Sequence, residues 1–84
     1  MKLPRDVDGA DLAHTLERLG YQTIRQTGSH LRLASTVKGK EHHVTVPIHS
    51  PIKVGTLDRI LNDVDSYLGI DRTALVDRLF IERR

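Results

Sequence analysis

The stretch YQTIRQTGSHLRLAS, Tyr21 to Ser35, decides the fold. Its two halves, YQTIRQT and HLRLAS, alternate like strands, and Gly28-Ser29 stands between them as a two-residue hairpin turn. Tyr21 and Ile24 are out of phase, so the first strand either starts late or carries a bulge. A third alternating run, HHVTVPI (42–48), follows the polar loop TVKGKE (36–41). Strand parity places Leu31, Leu33, Val44 and Val46 on one face, with His30, Arg32, His43 and Thr45 on the other. Pro47 and Pro51 close the third strand and frame the loop PIHSPIKVG.

On either side of these strands the period becomes helical. Upstream, Leu12, Ala13, Leu16 and Leu19 form one apolar stripe, with Asp8 as N-cap, Asp11 in the first turn and Gly20 at the C-terminal cap. Downstream, Leu57, Ile60, Leu61, Val64 and Leu68 form a second stripe. Thr56 is the expected cap of that helix, Asp58 falls in its first turn and Gly69 ends it. A last short helix, capped by Asp71, offers Leu75, Val76, Leu79 and Phe80. Helices with such stripes must bury them against one sheet face, which leaves the other face wet. The expected class is α+β, with order α-β-β-β-α and a short C-terminal helix beyond it.

Composition narrows the function. Eighty-four residues suit one domain over 1–84, with a core at about 3–68 and a helical extension at about 71–84. Hydrophobic residues are 38% of the chain and aromatics 4%, so the core is modest and built from Leu, Ile and Val. There is no cysteine, which excludes disulfides and thiolate metal sites. The start, MKLPRDVDGADL, lacks a signal peptide's apolar run, and no span of about 18 apolar residues exists. A soluble cytoplasmic protein without a membrane segment is expected.

The charge is unevenly spread. Residues 21–57 hold Arg25, Arg32, Lys38, Lys40 and Lys53 against Glu41 alone, with His30, His42, His43 and His49 in the same segment. The flanking segments each carry one more acid than base. A positive field confined to one segment is the footprint of a polyanion binder.

His30 leaves the turn inside that segment. A neutral imidazole titrates near pH 6.5 and can take and return a proton. RNA supplies its own nucleophile, the 2′-hydroxyl, so a base and cations suffice to cut it. Arg32 shares the strand face with His30, and the amides of Gly28 and Ser29 can add donors. A solvent-exposed hairpin histidine without a role fits the same spacing. Lys53 precedes Val54-Gly55-Thr56 at a helix start, where free amides favour phosphate. His43 lies on the wet face, either touching substrate or only keeping that face polar. His42, His43 and His49 make a poor metal set, because strand neighbours point to opposite faces. No metal or other cofactor is expected.

Taken together, LPRDVDGADLAHTLERLGYQTIRQTGSHLRL (3–33), HHVTVPIHS (42–50) and IKVGTLDRILNDV (52–64) resemble the HicA-type toxins of bacterial type II toxin–antitoxin modules. The marks stand in register from Leu3 to about Leu68. They are a Gly-Tyr after the first helix, Arg-Gln-x-Gly-Ser-His, Val-Thr-Val-Pro with a following His, and Lys-x-Gly-Thr-Leu. The resemblance implies a double-stranded-RNA-binding-domain-like fold and a metal-independent mRNA interferase with His30 as catalytic residue. It also implies a HicB-type antitoxin as partner; the apolar last helix of so small a domain leaves two assemblies open, a toxin–antitoxin hetero-oligomer and a homodimer. The candidate RNA-binding residues are Gly28, Ser29, Arg32, His43 and Lys53. Two other readings stay open: a non-catalytic RNA-binding module of the same fold, and a protein-interaction domain that meets no RNA.

Overall fold

The hairpin forms where the alternation predicts it. The computed structural model describes residues 7–48 and 51–82, with side chains of the last helix as far as residue 78. Strand β1 (Gln22–Thr27) pairs antiparallel with β2 (His30–Ser35), and β3 (His42–Pro47) pairs antiparallel with the other edge of β2. Of the two turn residues only Gly28 has positive φ, +57°, as a type II′ turn requires at its first central position. Leu31 faces Val46 and Leu33 faces Val44 across the ladder. Leu33, Val44 and Val46 are buried and Leu31 half-buried, so the predicted parity holds.

The phase break in β1 is a bulge. Thr23 pairs with Leu33 and Arg25 with Arg32, leaving Ile24 as the extra residue. Ile24 lines a shallow depression with Gln22 and Ala34 on the wet face, and it is 53% exposed. Every residue of β1 is exposed. The register explains this: Thr23 and Gln26 are the residues paired with Leu33 and Leu31, and both are polar. Thr23 Oγ1 donates to Glu17 Oε2 at 3.2 Å rather than joining the core.

Helix α1 (Gly9–Arg18) precedes the sheet; α2 (Val54–Leu68) and α3 (Arg72–Glu82) follow it. All three begin on the same device, an apolar residue before the N-cap and another five positions on. The pairs are Val7 with Leu12, Ile52 with Leu57, and Ile70 with Leu75, all in or against one core. In each helix the second member's amide donates to the N-cap carbonyl: Leu12 to Asp8 (3.0 Å), Leu57 to Lys53 (2.9 Å), Leu75 to Asp71 (3.2 Å). This device corrects the expected start of α2. Lys53, not Thr56, is the N-cap, and neither Asp58 nor any other acid lies in the first turn. Asp8 does hold the N-cap position of α1, though its side chain makes no capping hydrogen bond.

The C-terminal caps agree with expectation. After α1, the amide of Tyr21 donates to the Leu16 carbonyl (3.0 Å) and that of Gly20 to the Glu17 carbonyl (3.2 Å), a Schellman pair with Gly20 at φ +108°. Gly69 closes α2 in the left-handed region, at φ 70°.

The core joins the three helices to the inner face of the sheet, and α3 belongs to it. Leu75 and Val76 are buried, and α3 packs on α1 and α2. Arg72 adds a polar clamp between two helices. Its Nε donates to Asp65 (2.8 Å), one terminal nitrogen to Asp58 (2.8 Å) and the other to Asn62. The expected contributions of Leu79 and Phe80 lie outside the described side chains. An aromatic group ties the sheet to the end of α2: buried Tyr21 bonds His42 Nδ1 at 2.7 Å, and His42 stacks on Tyr67 with ring centroids 4.6 Å apart.

Candidate functional site

His30 opens β2 directly after the turn, and its strand partner is Pro47 at the end of β3. Three backbone contacts hold this corner. The Ile48 amide donates to the Ser29 carbonyl at 2.6 Å, tying the turn to the chain that leaves β3. Gly9 lies so close beneath that a Cβ there would stand 2.1 Å from the Pro47 carbonyl oxygen and 2.9 Å from Ile48 Cα. The Ile52 amide donates to the Val7 carbonyl at 2.8 Å, linking the entrances of α1 and α2. Gly28 keeps its glycine for the positive φ alone, since a Cβ there would meet open space.

This framework brings the start of α2 beside His30. The two border an open cleft of about 530 Å³, lined by His30 and Thr45 from the sheet, Lys53, Thr56 and Arg59 from α2, and an apolar floor of Pro47, Pro51 and Ile52. Among the described residues no acid lines it. Lysine has no acceptor with which to cap a helix, so the amides of Val54, Gly55 and Thr56 have no side-chain cap from Lys53. The positive end of the helix dipole therefore adds to the two cationic side chains. The cleft has the chemistry of a phosphate site with a proton acceptor at its rim.

The other expected site residues fall into two groups. Gly28 and Ser29 form the turn, and Ser29 takes part through its carbonyl. Arg32 and His43 share the wet face with His30 but stand outside the cleft, joined to each other. Arg32 Nε donates to His43 Nδ1 at 3.3 Å, and His43 Nε2 lies 3.0 Å from Glu41. A ring nitrogen that accepts from arginine carries no proton, so this geometry puts the His43 proton on Nε2, facing Glu41. Both of its nitrogens are engaged. His42 turns to the opposite face, as strand parity requires, and among the described residues no three His, Asp or Glu side chains gather as a metal set. His49 lies outside the described residues.

The sequence reading did not find Arg59. Its signal is the recurrence Lys53, Thr56, Arg59 at intervals of three, which becomes legible once the N-cap of α2 is Lys53 rather than Thr56. No helix among the described residues is long and apolar enough to cross a membrane.

Comparison with known proteins agrees with the motifs. No curated protein and no solved structure gives a match. Residues 9–65, which run from the first residue of α1 to within three residues of the end of α2 and make up more than half of the chain, match the family described as the HicA toxin of bacterial toxin-antitoxin. By that match, and with the α+β architecture above, the chain belongs to the HicA toxin family of bacterial toxin–antitoxin systems.

Proposed function

We propose that this toxin is a metal-independent endoribonuclease acting on messenger RNA, with His30 as general base. One observation carries the reading: the cleft that His30 borders also holds Lys53 and the uncapped start of α2, and no described acid opposes them. A base and a phosphate cradle are the two parts that RNA cleavage demands.

The step balances without a cofactor. His30 takes the proton of a ribose 2′-hydroxyl, and the 2′-oxygen attacks the adjacent phosphorus. A 2′-O–P bond forms as the P–O5′ bond breaks, and the leaving 5′-oxygen takes a proton from water. The products end in a 2′,3′-cyclic phosphate and a 5′-hydroxyl. Lys53 and the helix amides face the charge that builds on the phosphoryl oxygens, where preorganised donors contribute most. Gly28 and Ser29 set the position of His30, while Arg32 and His43 meet the flanking strand. All of these groups come from one copy of the chain. A HicB-type antitoxin is the partner that would bind and occlude this face, and an RNA substrate of this kind places the activity in the cytoplasm.

The test uses a long single-stranded RNA in EDTA, with the parent chain beside His30→Ala. General-base removal costs about 10²–10⁴-fold in rate, so the parent should cut and the variant should lose at least about 100-fold while melting at the parent temperature. Equal cleavage by both would overturn the role of His30. Binding without cleavage by either would establish the non-catalytic RNA-binding module instead.

A further inference from the structure

We infer that Arg59 is a second phosphate-binding residue of the cleft, acting with Lys53 on the backbone of one RNA strand; this rests on the RNA reading above. Arg59 and Lys53 line the cleft from the same helix, with Thr56 between them. Six helical residues span about 9 Å, a distance that two long side chains can close onto one phosphate or onto two in succession.

Among the described residues Arg59 is also unneutralised, and part of the reason is visible in its neighbours. The acid beside it, Asp58, is bonded to Arg72, and Arg72 likewise holds Asn62 and Asp65. Among the described residues neither Arg59 nor Lys53 has an ion pair. Arg72 thus engages two of the three acids of this helix, and the third, Asp63, forms no ion pair with Arg59 among the described residues, which leaves the cleft side cationic. Among the described residues that line the cleft there is no carboxylate to compete for the guanidinium. Arginine suits the position because its planar fork grips phosphate oxygens in pairs, which an ammonium cannot do. Arg32 stands outside the cleft with its Nε on His43, so Arg59 is the arginine that accompanies His30 there.

The experiment measures binding of a 2′-O-methyl single-stranded RNA, which cannot be cut through its 2′-oxygen, to the full chain across a salt series. For single strands each phosphate contact contributes about −0.7 to the slope of log K against log salt. Arg59→Ala should lower the magnitude of that slope by about 0.7 and weaken binding several-fold at 0.1 M salt. Arg59→Lys should restore the slope while recovering only part of the affinity. Arg78→Ala, the same charge change at an exposed position of α3, should alter neither. An unchanged slope in Arg59→Ala, or an equal loss in Arg78→Ala, would overturn the assignment. These failures are separable from that of the nuclease reading, which turns on cleavage of unmodified RNA by His30→Ala. A parent chain that binds no RNA would remove both.

Discussion

Gly9 and Gly55 both lie in the first turn of a helix with ordinary negative φ, yet alanine should have opposite effects at the two positions. In a helix alanine is favoured over glycine by about 0.8–1 kcal/mol, and less in the frayed first turn. At Gly55 nothing lies within 4 Å of a new Cβ, so that gain is unopposed. Gly55→Ala should stabilise by about 0.5 kcal/mol, or about 2–4 °C in Tm for a domain of this size. At Gly9 the Cβ would stand 2.1 Å from the Pro47 carbonyl oxygen, about 1 Å inside any tolerable contact. The obstacle is backbone, anchored by the Ile48–Ser29 hydrogen bond, so it cannot rotate away. Overpacking of this kind costs about 1–3 kcal/mol, which exceeds the propensity gain. The net loss of about 0.5–2.5 kcal/mol should therefore lower the Tm of Gly9→Ala by about 2–20 °C. Thermal melts of the two variants beside the parent decide the matter. If Gly9→Ala melts at or above the parent temperature, α1 does not seat on the end of β3 and the proposed corner beneath His30 is wrong.

Three further outcomes follow from contacts elsewhere. Tyr67→Phe removes the hydroxyl that accepts the Lys38 amide at 3.2 Å and donates to the Lys40 carbonyl, so it should cost about 1 kcal/mol and speed hydrogen exchange at Lys38. Arg72→Ala leaves partly buried Asp65 with one oxygen already unpartnered and now without its cation; chemical denaturation should register a loss of about 1–3 kcal/mol, mostly through undocking of α3. Burial, with Tyr67 and Asp63 nearby, pushes the Tyr21 hydroxyl up to about 12 from an ordinary 10. Because the folded value is the higher, its contribution is fully present below pH 10 and is lost as pH rises towards 12. Urea midpoints at pH 9 and 11.5 should fall further in the parent than in Tyr21→Phe.

Much of the fold was legible because its apolar residues repeat cleanly. Leu31, Leu33, Val44 and Val46 alternate, and the stripe from Leu57 to Leu68 keeps one helical face, so sheet parity and both main helices follow from spacing. The location of the bulge did not, since Ile24 is extra only relative to the pairing of Thr23 and Arg25 with β2. The start of α2 was misread because Thr56 has the chemistry of a cap, whereas the apolar pair Ile52 and Leu57 sets the boundary. That shift of three residues is also what concealed Arg59. His30 and Lys53 could be named from motifs, but their common cleft depends on contacts between distant segments: Gly9 under Pro47, Ile48 on Ser29, Ile52 on Val7. Arg32 could be placed on the right face by parity, but parity is silent on which neighbour a long side chain will reach.

The central claim is that His30 deprotonates a 2′-hydroxyl beside a phosphate held at the start of α2. Its most direct test is the chemistry of the cut ends, read on RNA incubated with the parent chain in EDTA. The expected result is 2′,3′-cyclic phosphate and 5′-hydroxyl termini, no cutting of a fully 2′-O-methylated strand, and no such products with His30→Ala. Fragments ending in 3′-hydroxyl and 5′-phosphate, or cleavage of the methylated strand, would contradict it.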